Sequence, residues 1–313
     1  GGGGTAAVRG TPRSAGPAGR EGGAISLTAS PSGALNITAT SLTSAGGTST
    51  GAGRSGGDIT LSGGSVTARG ITTSGGNAGG ANNAGGRAGR VTLDSTGVTP
   101  SLALNGNVTA RGGNATGSGT GGAGGAVSTT DPLTLGAAVA IATAGGTGGN
   151  AGAGGAVSLR SVDSNTGARR AFSVDAGNGA VTTGALGGTT PLGTVNLVAS
   201  GGVTTGNIDT SGLPNTAGAA VTINAGTTGA VRIGDVTTRG TTTTGIGRSG
   251  GAVSLIGNSL EAGAIDTRGS TSVITRVRGA GGGGPPARGG PAPRRALVRR
   301  NPPAGRRRPR RAR

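Results

Sequence analysis

A six-residue pattern recurs along the chain and constrains the fold more than any other feature. It stands in its clearest form at Gly250-Gly251-Ala252-Val253-Ser254-Leu255, and close copies begin at Gly22, Gly56 and Gly154. Each copy reads as a glycine turn followed by a short strand in which apolar and polar residues alternate. Because successive strand residues point to opposite faces, this alternation places the branched apolar side chains on one face.

The spacing of the pattern indicates a repeat protein. The gaps between successive copies range from 26 to 38 residues, with a mean of about 33, which is typical of solenoids and propellers. Coiled coils and collagen need a strict period, whereas a solenoid tolerates loops of unequal length. We expect the leading branched residues to stack as a single interior file at Ile25, Ile59, Val91, Val127, Val157, Val195, Val221 and Val253.

Further strands are predicted inside each unit. A second strand is clear at Val66-Thr67-Ala68 and at Val236-Thr237-Thr238, and residues 34–38, 101–105 and 133–135 supply a third strand in some units. Three strands in a unit predict a three-sided coil. The glycine-rich runs that separate the units are expected to leave the stack on one side and to remain free.

The composition favours a narrow stack over a compact core. Glycine accounts for 75 of the 313 residues, and Phe172 is the only aromatic residue. Buried positions must therefore be filled by Val, Ile, Leu, Ala and Thr, which suit strands. We interpret Phe172 as a core residue where the coil widens, and ligand stacking is the alternative.

The chain divides into three predicted regions. Residues 1–21 are an irregular leader or a degraded repeat, residues 22–275 are a β-solenoid domain of about eight units, and residues 276–313 are a disordered tail rich in Arg, Pro and Gly. The tail holds 13 of the 28 arginines and no acid, so the formal charge of +18 falls to +5 in the rest. Since the chain lacks methionine, we expect it to be a fragment of a longer protein.

The tail permits three interpretations. It is a solvated linker, the product of a shifted reading frame, or a segment that binds nucleic acid or another anionic surface. No aromatic residues interleave its arginines, so it offers no platform for stacking bases, and nucleic acid is the less favoured partner.

The residue inventory excludes most catalytic chemistry. His, Cys, Lys, Tyr and Trp are absent, which removes Ser-His-Asp and Cys-His catalysis, lysine Schiff bases, histidine metal sites and the P-loop. We therefore predict no enzyme activity, no catalytic or metal-binding residues and no cofactor. The absence of Cys also excludes disulfides, and no apolar run approaches the length of a membrane span.

Two sets of charged residues are the candidate surface sites. Asp209, Asp235 and Asp266 lie in successive units beside inward-facing residues and should point outward, as a glycosidase-type carboxylate pair or a calcium site would require. The alternative is a charged ladder in which Asp266 and Arg268 share a face and Arg239 lies nearby. Arg69, Arg111, Arg239 and Arg268 each precede a turn glycine; they are either a basic stripe for acidic glycans or solvated turn residues.

The repeat units resemble those of bacterial filamentous-haemagglutinin-type exoproteins. The resemblance rests on the order Gly-Gly-Ala-Val-Ser-Leu, Gly-x-Val-Thr-Thr-x-Gly and Gly-Gly-x-Ala-Gly-x-Gly-Gly, and is clearest at residues 56–75, 145–159 and 232–269. It implies a right-handed parallel β-helix, export through an outer-membrane partner transporter, and adhesion to surface glycans or proteins of a host or a bacterium. The amino-terminal secretion domain of that family is not recognisable here. The glycine loops also resemble repeats of mycobacterial surface proteins.

We therefore expect a structural shaft segment of a secreted or surface-attached bacterial adhesin. Three alternatives remain open at this point. The first is a carbohydrate-active β-helix enzyme that uses the three aspartates. The second is an ice- or crystal-surface binder built on threonine ladders such as Val236-Thr237-Thr238 and Thr241-Thr242-Thr243-Thr244. The third is a low-complexity chain that binds nucleic acid through its arginine-rich tail.

Overall fold

A computed structural model describes residues 19–37 and 40–272 and the backbone of two further short strands. All regular elements in this part of the chain are β-strands. The predicted disordered tail, residues 276–313, lies outside the described residues apart from one strand, as does most of the predicted leader.

The strands are short and are numbered in chain order. Their bounds are β1 Ala6–Val8, β2 Ile25–Thr28, β3 Ala34–Ile37, β4 Ser41–Thr43, β5 Ile59–Gly63, β6 Ser65–Ala68, β7 Gly70–Thr72, β8 Val91–Ser95, β9 Ser101–Leu104, β10 Val108–Thr109, β11 Val127–Thr129, β12 Leu133–Leu135, β13 Val139–Ala142, β14 Val157–Leu159, β15 Val162–Ser164, β16 Phe172–Gly177, β17 Val181–Thr183, β18 Val195–Ala199, β19 Val203–Thr205, β20 Ile208–Asp209, β21 Val221–Asn224, β22 Ala230–Ile233, β23 Val236–Thr237, β24 Val253–Ile256, β25 Ser259–Ala262, β26 Ile265–Asp266 and β27 Leu297–Val298.

Each turn of the chain, which we call a coil, adds one position to each of three parallel sheets. Sheet I has the order β2-β5-β8-β11-β14-β17-β19-β22-β25, and sheet III has the order β4-β7-β10-β13-β16-β18-β21-β24-β27. Sheet II consists of two sets of strands, β1-β3-β6-β9-β12-β15 and β20-β23-β26. Leu186 lies between the two sets and forms parallel bridges to Val162 of β15 and to Ile208 of β20. Nine coils begin at the nine strands of sheet I. The chain is a three-sided parallel β-helix, which confirms the predicted fold class.

Alternation along the strands builds one continuous core. In β5 the side chains of Ile59 and Leu61 are fully buried while Thr60 between them faces outward. The other strands from β3 to β24 repeat this alternation of more and less buried residues, whereas the strands β2, β25 and β26 are less buried. Phe172, which is 1% exposed, pairs with Val139 on one side and Val195 on the other. Its predicted place in the core is confirmed.

The predicted single interior file is wrong: the eight residues form two files in different sheets. Ile25, Ile59, Val91, Val127 and Val157 are paired in sheet I. The sheet I file then continues through Val181 and Val203. The remaining members of the predicted file, Val195, Val221 and Val253, are paired in sheet III.

The two files arise because the long glycine-rich loop changes corner. In the first four coils the loop joins sheet III to sheet I and contains 14 to 18 residues, but later connections at that corner have 2 to 5 residues. The connection from sheet II to sheet III has 1 to 3 residues in those first coils and then lengthens to 7, 8, 11 and 15 residues in coils 5 to 8. The glycine pattern marks the strand that follows the long loop, whichever sheet contains that strand.

A specific pair of hydrogen bonds closes four of the long loops at their base, and joins Thr73 to Gly89, Thr143 to Gly155, Thr210 to Ala219 and Thr238 to Gly251. Thr143 Oγ1 donates to the carbonyl of Gly155 at 2.7 Å, and Gly155 N donates back to the Thr143 carbonyl. Thr210 and Ala219 form the same pair of bonds after the change of corner. Both threonine side chains are fully buried. We call this pair of residues the loop neck; the second glycine of the recurring pattern belongs to it.

The glycine loops of the first four coils are packed against each other, contrary to the expectation that they remain free. Each loop has an outgoing and a returning arm, and successive arms are joined by backbone bonds such as Gly122 N to Gly113 O and Gly146 N to Gly122 O, at 2.8 and 2.9 Å. A β-carbon at Gly113, Gly122 or Gly146 would overlap a carbonyl oxygen of a neighbouring arm. We call this arrangement, formed by residues 44–58, 73–90, 110–126 and 143–156, the loop stack.

Candidate functional site

The charged residues at the end of sheet II form the densest electrostatic cluster among the described residues. Asp266, at the end of β26, accepts hydrogen bonds from Arg268 of its own coil and from Arg239 of the preceding coil. The carboxylate side chain is only 19% exposed, whereas Arg239 and Arg268 are 50% and 67% exposed. This arrangement is the charged ladder that the sequence offered as the alternative to a catalytic site.

The two arginines hold Asp266 in its ionised form. The hydrogen bond from Arg268, and then that from Arg239, lower the pKa of Asp266 far below its ordinary value. In return, Asp266 raises the pKa of Arg268. A carboxyl group with so low a pKa is a poor general acid near neutral pH, because it carries no proton to donate.

The other two candidate aspartates are engaged with backbone groups. Asp209 Oδ1 accepts the N–H of Ser211 at 2.8 Å, which closes a turn at the end of β20. Asp235 precedes β23, and its Oδ1 accepts the N–H of Ala264 in the next coil at 2.7 Å. Asn207 acts in the same way one coil earlier on the N–H of Asp235. Asp235 therefore belongs to a column that links coils and is separate from the column of Asp209 and Asp266.

The three aspartates do not converge as a glycosidase requires. Asp209 and Asp266 share one column of sheet II with Thr237 between them, so they lie two strand spacings apart, about 9.6 Å. That separation is at the upper limit for an inverting pair and far beyond that of a retaining pair. Within the described ranges, no three acidic residues gather closely enough to hold a metal ion.

Sequence reasoning missed one member of the acidic column. Asp163 in β15 is level with Asp209 two coils later, so aspartates occupy this column in every second coil from coil 5 onward. Its Oδ1 accepts the N–H groups of Thr189 and Thr190 at 2.7 and 3.1 Å. No sequence signal pointed to Asp163. Only two residues separate its strand, β15, from the end of β14, so no turn or glycine pattern marks it as a separate strand.

The four candidate arginines do not form one stripe. Arg239 and Arg268 are neighbours at the corner between sheets II and III, and both contact Asp266. Arg69 lies at the same corner but in coil 2, and its exposed side chain is far along the stack. Arg111 lies at the corner between sheets III and I, where it forms an ion pair with Asp175 two coils later. Of the two sequence interpretations, a single basic stripe does not match this arrangement.

A column of hydroxyl side chains covers the outer face of sheet I. Seven consecutive coils place Ser or Thr at the same outward position, directly beside the buried file. The column contains Ser26, Thr60, Thr92, Ser128, Ser158, Thr182 and Thr204. Arg232 and Glu261 follow it in coils 8 and 9. The middle residue of the recurring Val-Ser-Leu pattern signals the first five members, but the change of loop corner hides the last two.

The threonines proposed from the sequence as a ladder occupy different environments. Thr237 lies in the acidic column, and Thr238 is buried at a loop neck, where its hydroxyl donates to Gly251 O. The run from Thr241 to Thr244 forms a loop tip, in which Asn215 Oδ1 accepts the N–H groups of Thr243 and Thr244. These residues do not form a regular ladder.

Three surface depressions lie away from all seven candidate residues. One is lined by Pro31, Gly64 and Val98 at the corner between sheets I and II, and two lie on the loop stack. The described residues contain no helix that is long and apolar enough to cross a membrane.

Comparisons with known proteins give no further information on the function of this chain. No model of a protein family matches the chain, and neither the curated proteins nor the solved structures contain a significant match.

Proposed function

We propose that this chain is a structural shaft segment of a secreted or surface-attached bacterial adhesin, with no catalysis of its own. The main observation in support is that sheet I and sheet III each continue without interruption through nine parallel strands, one from each coil. The binding partners of the whole protein are surface glycans or proteins of a host or another bacterium. An outer-membrane transporter exports it, as the repeat resemblance implies.

The contacts of the charged residues support a structural role. Asp209, Asp235 and Asp266 each accept bonds that close a turn or join two coils, so their oxygen atoms stabilise the stack. The core consists of branched side chains stacked coil upon coil, and burial of each contributes about 1.5–3 kcal/mol. In such a stack the stability is approximately a sum over neighbouring coils, so length can change without a change in cross-section.

Deletion of one whole coil tests the shaft. Removal of residues 91–126 joins Arg90 to Val127, which keeps the sheet I register because Ile59, Val91 and Val127 are successive partners. Since the chain has no cysteine, Ser26→Cys and Thr204→Cys allow specific spin labelling. We expect backbone separations of about 29 Å across six spacings before the deletion and about 24 Å after it, which pulsed electron paramagnetic resonance measures.

A display experiment tests the adhesin role itself. The chain is placed between an outer-membrane anchor and a separate receptor-binding tip on a bacterial surface. We expect adhesion to require the tip and to survive the whole-coil deletion, with a shorter reach. Adhesion by the chain without a tip, or hydrolysis of a polysaccharide by the purified chain, would contradict the shaft role.

A second candidate function, binding to an ordered surface such as ice, is supported by the hydroxyl column of sheet I. Its seven members repeat at the strand spacing, about 4.8 Å, on a sheet whose inward side chains are buried from β5 to β19. The neighbouring outward column contains Ala126, Ala156 and Ala180 level with Ser128, Ser158 and Thr182, so this part of the face is flat.

Retention on growing ice tests this candidate. We expect the purified chain to be incorporated into a slowly frozen ice shell, and Thr182→Arg to be excluded because a long charged side chain interrupts the flat face. Thr222→Arg, on the outer face of sheet III, is the matched control. Equal exclusion of all three proteins would remove the surface-binding candidate.

A further inference from the structure

The loop stack ends abruptly inside the chain. Within the stack, each loop donates N–H groups to the carbonyls of the next loop. Loop 110–126, for example, uses Gly112, Ala115, Gly121 and Gly124. The last loop, residues 143–156, has no successor, because coil 5 passes this corner in a short turn of three residues.

The last loop therefore presents a row of backbone donors. The residues level with the four donors of the preceding loop are Gly145, Gly148, Ala151 and Gly154. Of these, only Gly154 donates to another group, the side chain of Asn178. The N–H groups of the other three have no acceptor among the described residues, and Gly148 and Ala151 are exposed.

Asn178 shows what the missing layer must supply. Its Oδ1 accepts the N–H of Gly154, and its Nδ2 donates to the carbonyl of Gly152 at 3.4 Å. The side-chain amide thus takes the place of one peptide group of a further loop. At the opposite end of the stack, backbone groups are the partners of the first loop. The N–H groups of Gly19 and Gly22 donate to the carbonyls of Thr48 and Ser55.

The packing of the stack selects the type of chain that can join this edge. A β-carbon at Gly146 would overlap the carbonyl of Gly113, and a β-carbon at Gly152 would overlap that of Gly122. The same relation holds between the earlier loops. An added loop must consequently carry glycine on one arm opposite Gly146 and on the other arm opposite Gly152. Its carbonyls must face the N–H groups of Gly145, Gly148 and Ala151.

We propose that this edge binds a glycine-rich loop of a different protein, whose outgoing and returning arms add one further layer to the loop stack. Backbone hydrogen bonds supply the affinity, as when a peptide adds to an exposed sheet edge, and the overlap with carbonyl oxygens supplies selectivity for glycine. The interaction goes beyond the shaft role and does not depend on it.

A peptide titration tests the proposal. The probe is a synthetic peptide with the sequence of residues 110–126, added to the full ¹⁵N-labelled chain. We expect amide hydrogen exchange at Gly145, Gly148 and Ala151 to slow by about tenfold at a peptide concentration ten times the Kd. The same peptide with valine in place of the glycines at 113 and 122 should give no protection.

Two proline variants of the protein provide the matched comparison. Ala151→Pro removes one of the three donors and places the ring in the path of the added loop, so we expect loss of protection at Gly145 and Gly148. Ala153→Pro is the control, since the equivalent N–H groups of Arg87 and Ala123 donate to no other loop. It should leave peptide binding unchanged.

Three outcomes would overturn the proposal. The first is unchanged exchange of the three amides at millimolar peptide. The second is equal protection by the valine peptide, which would show that the site does not select glycine, or equal loss of binding in both proline variants, which would show that the donors at this edge do not hold the peptide. The third is protection that appears with protein concentration alone, which would identify a second copy as the occupant.

Discussion

The first four coils and the last coils use the same three-sheet cross-section but carry their long loops at different corners. In coils 1 to 4 the loops join sheet III to sheet I, and in coils 5 to 8 they join sheet II to sheet III. The neck is the same in both halves, with Thr143 paired to Gly155 in one and Thr210 to Ala219 in the other. In this fold, a long loop can therefore be closed by the same loop neck at either of two corners of the cross-section.

Backbone hydrogen bonds join successive loops in both halves, as from Gly112 to Ala144 in the first and from Gly212 to Arg239 in the second. The halves differ in how closely the arms approach. In the first half, glycine arms pack so tightly that a β-carbon at Gly113 or Gly122 would overlap a carbonyl oxygen.

In the second half, charged side chains add contacts between the loops. The guanidinium of Arg169 donates to the carbonyls of Thr210 and Ser211, and burial lowers its pKa. Asn215 and Asp266 bind neighbouring backbone and arginine groups.

The largest expected effect comes from Phe172, which lies where the two halves meet. Phe172→Ala should lower the free energy of unfolding by about 3–5 kcal/mol, because it leaves a cavity between Val139 and Val195. Chemical denaturation followed by circular dichroism measures the loss, and hydrogen exchange shows which coils it affects. If exchange in the first four coils stays as slow as in the original chain, those coils unfold independently of coil 5. Phe172→Leu is the conservative control.

The glycine lattice of the first half is tested by a pair of alanine substitutions. Gly122→Ala should destabilise the fold by about 1–3 kcal/mol, since its β-carbon meets the Gly86 carbonyl. A β-carbon at Gly51 would make only an ordinary van der Waals contact, 3.9 Å from Ser49 Oγ, so Gly51→Ala should be neutral or slightly stabilising. Thermal unfolding compares the two variants, and equal melting temperatures would mean that the loops are not packed.

The loop necks should respond alike in both halves. Thr143→Val and Thr210→Val each remove a buried hydroxyl donor and leave a carbonyl unsatisfied, at a cost of about 1–3 kcal/mol. Thr182→Val, on the exposed face of sheet I, should change stability by less than about 0.5 kcal/mol. Urea denaturation measures all three. A large loss in one half alone would show that the two necks are not equivalent.

The smallest effect is expected at Asp266, in the second half. Asp266→Asn should cost up to about 1 kcal/mol at pH 7, because both arginine partners are half exposed or more. Since the pKa of Asp266 is lowered in the folded chain, its contribution is complete above the ordinary value of 3.8 and declines as the pH falls below it. The difference between the original chain and the variant should therefore shrink in urea denaturation at pH 3.

The matched control for Asp266→Asn is Asp235→Asn. Asp235 acts through one oxygen that accepts the N–H of Ala264, and an asparagine side chain retains that acceptor. The free energy of unfolding of this variant at pH 7 should equal that of the original chain. A loss as large as that of Asp266→Asn would show that the arginine contacts are not the cause of the loss at Asp266.

Local patterns predicted much of the architecture. Alternation in runs such as Ile59-Thr60-Leu61 predicted strands with one buried face, and their repetition with glycine-rich spacers predicted a solenoid. The charged ladder of Asp266, Arg268 and Arg239 was also one of the two sequence interpretations, because residues two apart in a strand share a face.

The sequence by itself determined the strand, the turn and the buried face, because each depends on the order of a few neighbouring side chains. Only the tertiary structure decided which strands share a sheet. It moved Val195 to sheet III beside Phe172, and aligned Thr182 with Ser158 on sheet I. The register of a parallel sheet depends on the length of every intervening connection, and the repeated glycine pattern marks only where a long connection ends.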